Sequence, residues 1–179
     1  MKVSDRIVFR KAVSTDIGAI ENIYNDLHQA EEDGIISVGW KRGVYPVKAT
    51  AEEALKRDDL FVLEYNGIVS GAGMINHIQV NVYLNAPWEY YAPDEDICVL
   101  HTLVISPKVS GKGLGTRFVR FYEEYAKEHG CSELRLDTNE RNKAARAMYA
   151  KLGYKEIFIV PTTFNGIPGV NLVLLEKMI

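Results

Sequence analysis

Three sets of residues in this chain have types and spacing suited to chemistry. The first is Ser110-Gly111-Lys112-Gly113-Leu114-Gly115-Thr116, a glycine-dense turn between an apolar run and a helical pattern. Without Cβ atoms, main-chain N–H groups there can converge on an anion at a helix N-terminus, with Lys112 and Arg117 adding local positive charge. Such a turn cradles a pyrophosphate, or it serves as a tight connection and nothing more. The second is Tyr149, whose phenol can protonate a departing thiolate, or can simply pack in one stripe with Ala145, Met148 and Leu152. The third is His101, which has the titration range of a general base and is equally suited to be a hydrogen-bonded core residue. Glu64, Glu95 and Asp96 are carboxylate alternatives for the base.

The elements that position these residues follow from periodicity. Ile7 to Val13 reads as a strand, and Ile17, Ile20, Tyr24 and Leu27 as a helix behind the Ser14-Thr15-Asp16 cap. Thr50-Ala51-Glu52-Glu53 has capping-box form and predicts a short helix to about Arg57. Leu60 to Tyr65 and Ile68 to about Gln79 flank Asn66-Gly67, the strongest hairpin signal in the chain. Val80 to Asp96 is a loop. Ile97 to Ser106 is apolar on both parities, as a central strand covered on both faces would be. A helix carrying Leu114, Phe118, Phe121, Tyr122 and Tyr125 ends at Gly130, and Glu133 to Thr138 is the next strand. A second stripe stops at Gly153, and Tyr154 to Val160 and Val170 to Leu175 close the chain. The order β, α, α, β, β, β, α, β, α, β, β predicts an α+β domain over residues 1–179, with a mixed, mostly antiparallel sheet flanked by helices. Its one parallel step runs from Ile97 to Thr138 and should carry the cofactor site.

Composition excludes several classes. A length of 179 residues leaves room for one domain, and 47% hydrophobic with 25% charged residues is ordinary globular composition. A net charge of −3 gives no general attraction to nucleic acid or anionic lipid. Cys98 and Cys131 are too few for a disulfide framework, which suits a reducing cytoplasm, and they read as packing residues. The histidines lack metal-ligand spacing. Neither a leader-like apolar segment after Met1 nor a membrane-spanning run occurs. The turn does not fit a P-loop. A dinucleotide site has some support from Asp137 at the end of the next strand, but Thr116 or Phe118 stands where its third glycine belongs.

The stretch Leu100 to Pro107, the turn Ser110 to Gly115 and the run Asn139 to Tyr154 together resemble the two linked motifs of the GNAT-type N-acetyltransferase superfamily. The strand order along nearly the whole chain is similar to that fold. One departure is Ser110, where the family's turn usually begins with Gln or Arg. The resemblance implies acetyl-coenzyme A as co-substrate, its pyrophosphate held by Ser110 and the N–H groups of Gly111, Lys112, Gly113, Leu114, Gly115 and Thr116. It implies a pantetheine arm beside Val104 and Ile105, where neighbouring strands splay, with Asn142 bonding that arm. A backbone donor near Val104 would stabilise the oxyanion. Tyr149 would be the acid. Trp40 and Tyr45, after the first helix, would wall an acceptor pocket, with Asn76 and Gln79 supplying amides from the third strand. The acceptor is then a primary amine of a small molecule or peptide, attacking the thioester directly. The loop from Asn81 to Asp96 reads equally as substrate wall, solvated lid or contact between two copies of the chain. Two other classes stay open: a coenzyme A-binding sensor without turnover, and a nucleotide-dependent oxidoreductase.

Overall fold

A computed structural model describes residues 5–179; residues 1–4 of the N-terminal segment read above lie outside them. Chain order is β1 (Ile7–Lys11), α1 (Ile17–Glu32), α2 (Lys48–Lys56), β2 (Leu60–Tyr65), β3 (Ile68–Asn76), β4 (Ile97–Ile105), α3 (Leu114–Glu128), β5 (Glu133–Asn139), α4 (Lys143–Lys151), β6 (Lys155–Phe164) and β7 (Ile167–Met178). This is the succession expected. The strands form one sheet in the order β1-β2-β3-β4-β5-β7-β6, antiparallel throughout except for the β4–β5 pair.

The apolar parities of β4 are explained by two different cores. Cys98 and Leu100 join Phe118, Val119 and Tyr122 of α3 and Tyr149 of α4 on one face. Val104 joins Ile20, Tyr24 and Leu27 of α1 on the other, where Ile97 and Val99 also meet Tyr83 and Leu174. Burying both faces of a central strand is the arrangement its continuous hydrophobicity requires.

Several boundaries differ from the reading by period. β1 stops at Lys11 because the Val13 N–H is taken by the Asp16 carboxylate at 2.8 Å, which starts a short 3-10 turn at Ser14–Asp16. α2 begins at Lys48, ahead of Thr50, and the Thr50 hydroxyl reaches back to accept the Val47 N–H at 3.1 Å. β3 ends at Asn76, whose side-chain oxygen accepts the Ile78 N–H at 2.8 Å and turns the chain out of the sheet. β6 and β7 are longer than expected and meet at Asn165-Gly166, a second Asn-Gly hairpin turn; like Asn66 and Gly67, both of its residues have positive φ. The loop before β4 is pinned down. Tyr83 is buried, Trp88 donates from its indole N–H to the Tyr83 carbonyl at 2.9 Å, and the buried Glu176 carboxylate accepts the Glu89 N–H at 2.9 Å.

Candidate active site

The parallel β4–β5 pair supplies the site by ending early. It is paired only from Ile97 with Glu133 to Leu100 with Leu136, clamped by the buried Tyr122 hydroxyl, which donates to the Cys98 carbonyl at 2.6 Å. Beyond Leu100 the strands part. β4 continues to Ile105 through a bulge, with Thr102 at φ 50°, while β5 stays with β7. The gap opens into a cavity of about 600 Å³.

One end of this cavity is main chain. Every residue from Ser110 to Thr116 lines it, and the first hydrogen bond back into the turn is from Arg117 N–H to the Gly113 carbonyl at 3.1 Å. Among the described residues, the N–H groups from Gly111 to Thr116 have no acceptor. Gly113 has φ 70° and an added Cβ there would meet nothing within 4 Å, so the space over the turn is open. Unpaired donors at the start of a 15-residue helix form an anion site. The exposed Lys112 adds its charge there, its ammonium 5.1 Å from the Tyr65 ring centroid. The donor set fits the diphosphate of a coenzyme A thioester. Val104 and Ile105 line the adjoining stretch, as does Asn142, whose side-chain oxygen accepts the Ala145 N–H at 3.2 Å and caps α4.

The middle of the cavity holds Tyr149 and Asp137. Tyr149 is 5% exposed, and its hydroxyl has no hydrogen-bond partner among the described residues. Burial, and then the Asp137 charge, raise this phenol above its ordinary range. Asp137, in the sequence a feature of the dinucleotide alternative alone, stands in this cavity with one oxygen accepting from the Tyr83 hydroxyl at 2.7 Å. Burial lifts its carboxyl to about 6 against the opposing Tyr83 hydrogen bond. Its sequence signal is an acid two residues from the end of β5, after the alternating Leu134 and Leu136. His101 also lines the cavity, but burial lowers its pKa to about 4, and its Nε2 bonds the Asn76 side-chain oxygen at 3.0 Å.

The other end is built of side chains. Trp40 and Tyr45 meet edge to face with ring centroids 6.1 Å apart, and the Tyr45 hydroxyl bonds the Thr102 hydroxyl. Burial pushes the Tyr45 phenol up to about 12. The segment carrying them is held by Glu31, which accepts the N–H groups of Val38 at 2.6 Å and Gly39 at 3.3 Å. Phe164 and Ile167 at the tip of the β6–β7 hairpin also line the cavity. Asn76 and Gln79 stand outside the wall. Asn76 donates to Asp59 at 2.9 Å besides holding His101, and Gln79 bridges Asp94 and Arg135. Among the described residues no cluster of three or more His, Cys, Asp or Glu is placed to hold a metal, and no helix is long and apolar enough to cross a membrane.

A family model described as acetyltransferase (GNAT) family matches residues 19–154, well over half of the chain. The chain belongs to the GNAT acetyltransferase family. Members of that family use acetyl-coenzyme A, and the assignment replaces the dinucleotide reading of the glycine turn. Among curated relatives, the uncharacterized N-acetyltransferase YjgM of Escherichia coli is 33% identical over 97 residues, covering 54% of this chain and 51% of its own length. The uncharacterized N-acetyltransferase MJ1207 of Methanocaldococcus jannaschii is 29% identical over 108 residues, covering 59% of this chain and 44% of its own. The chain thus spans about half the length of these relatives. A GNAT-family acetyltransferase structure from Streptococcus agalactiae superposes with TM-score 0.78 at 21% identity, covering 97% of this chain and 95% of the other. That likeness shows the GNAT fold.

Proposed function

We propose that the chain transfers the acetyl group of acetyl-coenzyme A to the primary amine of a small molecule by direct attack. The observation that carries this reading is that the unpaired amides from Gly111 to Thr116 open into the same cavity as the partnerless Tyr149 hydroxyl and the Asp137 carboxylate. Acetyl-coenzyme A supplies a thioester carbonyl and a thiolate leaving group. The turn binds the diphosphate, and the unpaired edge of β4 past Leu100 aligns the arm, with Asn142 beside it. A main-chain N–H near Val104 is the donor available to a developing oxyanion.

An ammonium near pKa 10.4 must lose a proton before its nitrogen can form the new C–N bond. Asp137 takes that proton. At about 6 its carboxylate is a stronger base than His101 at about 4, and Tyr83 holds one of its oxygens while the other is left to the cavity. The C–S bond breaks with its electron pair on sulfur, Tyr149 donates its hydroxyl proton there, and the second proton shed by the acylated nitrogen returns the phenolate to a phenol. A phenol raised by burial is a weaker acid in isolation, but hydrogen-bond reach and a poorly solvated thiolate favour that transfer.

Thiol release from acetyl-coenzyme A, assayed with a panel of primary amines, tests this reading. Release should depend on the amine, and Tyr149→Phe should lower kcat by about 10²-fold or more with acetyl-coenzyme A affinity nearly unchanged. Tight acetyl-coenzyme A binding with no release across the panel would instead make the chain a coenzyme A-binding sensor.

A further inference from the structure

The cavity wall is nearly devoid of charge. Of the described residues lining it, only Lys112 at the diphosphate end and Asp137 toward the acceptor end carry a formal charge at neutral pH, because burial keeps His101 neutral. Arg57, Arg135 and Arg141 do not line it and are paired with carboxylates: Arg57 with Asp59 at 2.8 Å, Arg135 with Glu133 at 2.6 Å and Arg141 with Glu31 at 3.5 Å. Around Asp137 the acceptor end presents Trp40, Tyr45, Phe164, Ile167 and Leu172.

From this charge census we infer the class of acceptor: a primary amine on an apolar, aromatic-bearing body, with no carboxylate, phosphate or second ammonium. The inference rests on the acetyl-transfer reading above. The ammonium pairs with the Asp137 oxygen that Tyr83 leaves available, and the body lies against the Trp40–Tyr45 edge-to-face pair and the hairpin tip. A carboxylate on the carbon bearing the amine would be brought next to Asp137 with no cation to pair it, in a setting where an unpaired charge is costly. A second ammonium farther along the body would meet apolar wall.

The test uses the full-length protein with acetyl-coenzyme A and four acceptors: phenethylamine, phenylalanine, phenylalaninamide and spermidine. Phenethylamine should exceed phenylalanine and spermidine in kcat/KM by roughly 100-fold or more, with phenylalaninamide, which puts a neutral amide in place of the carboxylate, recovering much of the difference. Titration calorimetry of phenethylamine into the coenzyme A-saturated protein reads binding without turnover, and Asp137→Asn should weaken it by about 10-fold or more. Equal or better use of phenylalanine or spermidine overturns the inference, as does failure of phenethylamine to bind a protein that binds acetyl-coenzyme A. Failure to bind acetyl-coenzyme A at all overturns the transfer reading beneath it.

Discussion

The two ends of the cavity are made of different material. The end that fits a diphosphate is main chain from one contiguous segment, Ser110 to Thr116, and draws its donors from unpaired amides at the start of α3. The acceptor end is made of side chains that reach it from the segment after α1, from β4, from β5 and from the β6–β7 tip. A main-chain site needs one local pattern and tolerates variation around it, whereas a side-chain site exists only once the whole sheet has formed. Removing one group at each end should therefore have different signatures.

The largest effect is expected at Asp137. Asp137→Asn removes the base, so kcat/KM should fall by about 10²- to 10³-fold, and the ascending limb of its pH profile near 6 should vanish. His101→Gln should leave that limb in place, since burial holds this imidazole's pKa near 4. Stability should move the opposite way. The folded carboxyl is raised above its ordinary value, so the stability it contributes is present in acid and is lost as pH rises through about 6. At pH 7.5 the amide should therefore be more stable than the native chain by roughly 1–2 kcal/mol in denaturant unfolding, and the gap should close on acidification below about 6. Loss of both activity and stability at neutral pH would show that Asp137 is a structural acid.

At the opposite end the decisive variant is Gly113→Val. A β-branched residue strains φ 70° and fills the open space over the amides, so the dissociation constant for acetyl-coenzyme A should rise by roughly 30- to 100-fold in calorimetry. Lys112→Ala, which removes an exposed side chain, should cost only about 3-fold. The reverse ranking would make this end a side-chain site as well, and the contrast between the two ends would disappear.

The same division explains what could be read in the sequence. The order of elements, the parallel step and the glycine turn were legible, because each is written in a local pattern: two-residue alternation, a helical stripe, glycines between strand and helix. The splay of β4 from β5 was expected only through family resemblance. Nothing local marks Leu100 as the last paired residue. Asp137 was visible only as support for a dinucleotide site, and its role depends on Tyr83, from a loop that read equally as substrate wall, solvated lid or contact and is anchored by Glu176. Asn76 does end the third strand, whereas Gln79, read on it, lies beyond its end; an amide's partners are set by packing, and neither side chain lines the cavity.

A modest expected effect sharpens the comparison most, because it leaves every proposed reacting group in place. Gly39 sits at φ 79°, and a Cβ there would come 2.2 Å from the Asn139 side-chain nitrogen. Asn139 cannot yield easily, since its side-chain oxygen accepts the Arg141 N–H at 3.0 Å and its carbonyl accepts the Asn142 N–H at 2.9 Å, just ahead of α4. Gly39→Ala should therefore lift the 33–47 segment away from the end of β5 rather than displace β5. The cost should be about 1–3 kcal/mol in denaturant unfolding. Trp40 and Tyr45 move with that segment, so KM for the amine should rise by roughly 5- to 10-fold with acetyl-coenzyme A affinity unchanged within about 2-fold. If both affinities fall together, the two ends share one support, and the clasp between Gly39 and Asn139 holds the cradle as well as the acceptor wall.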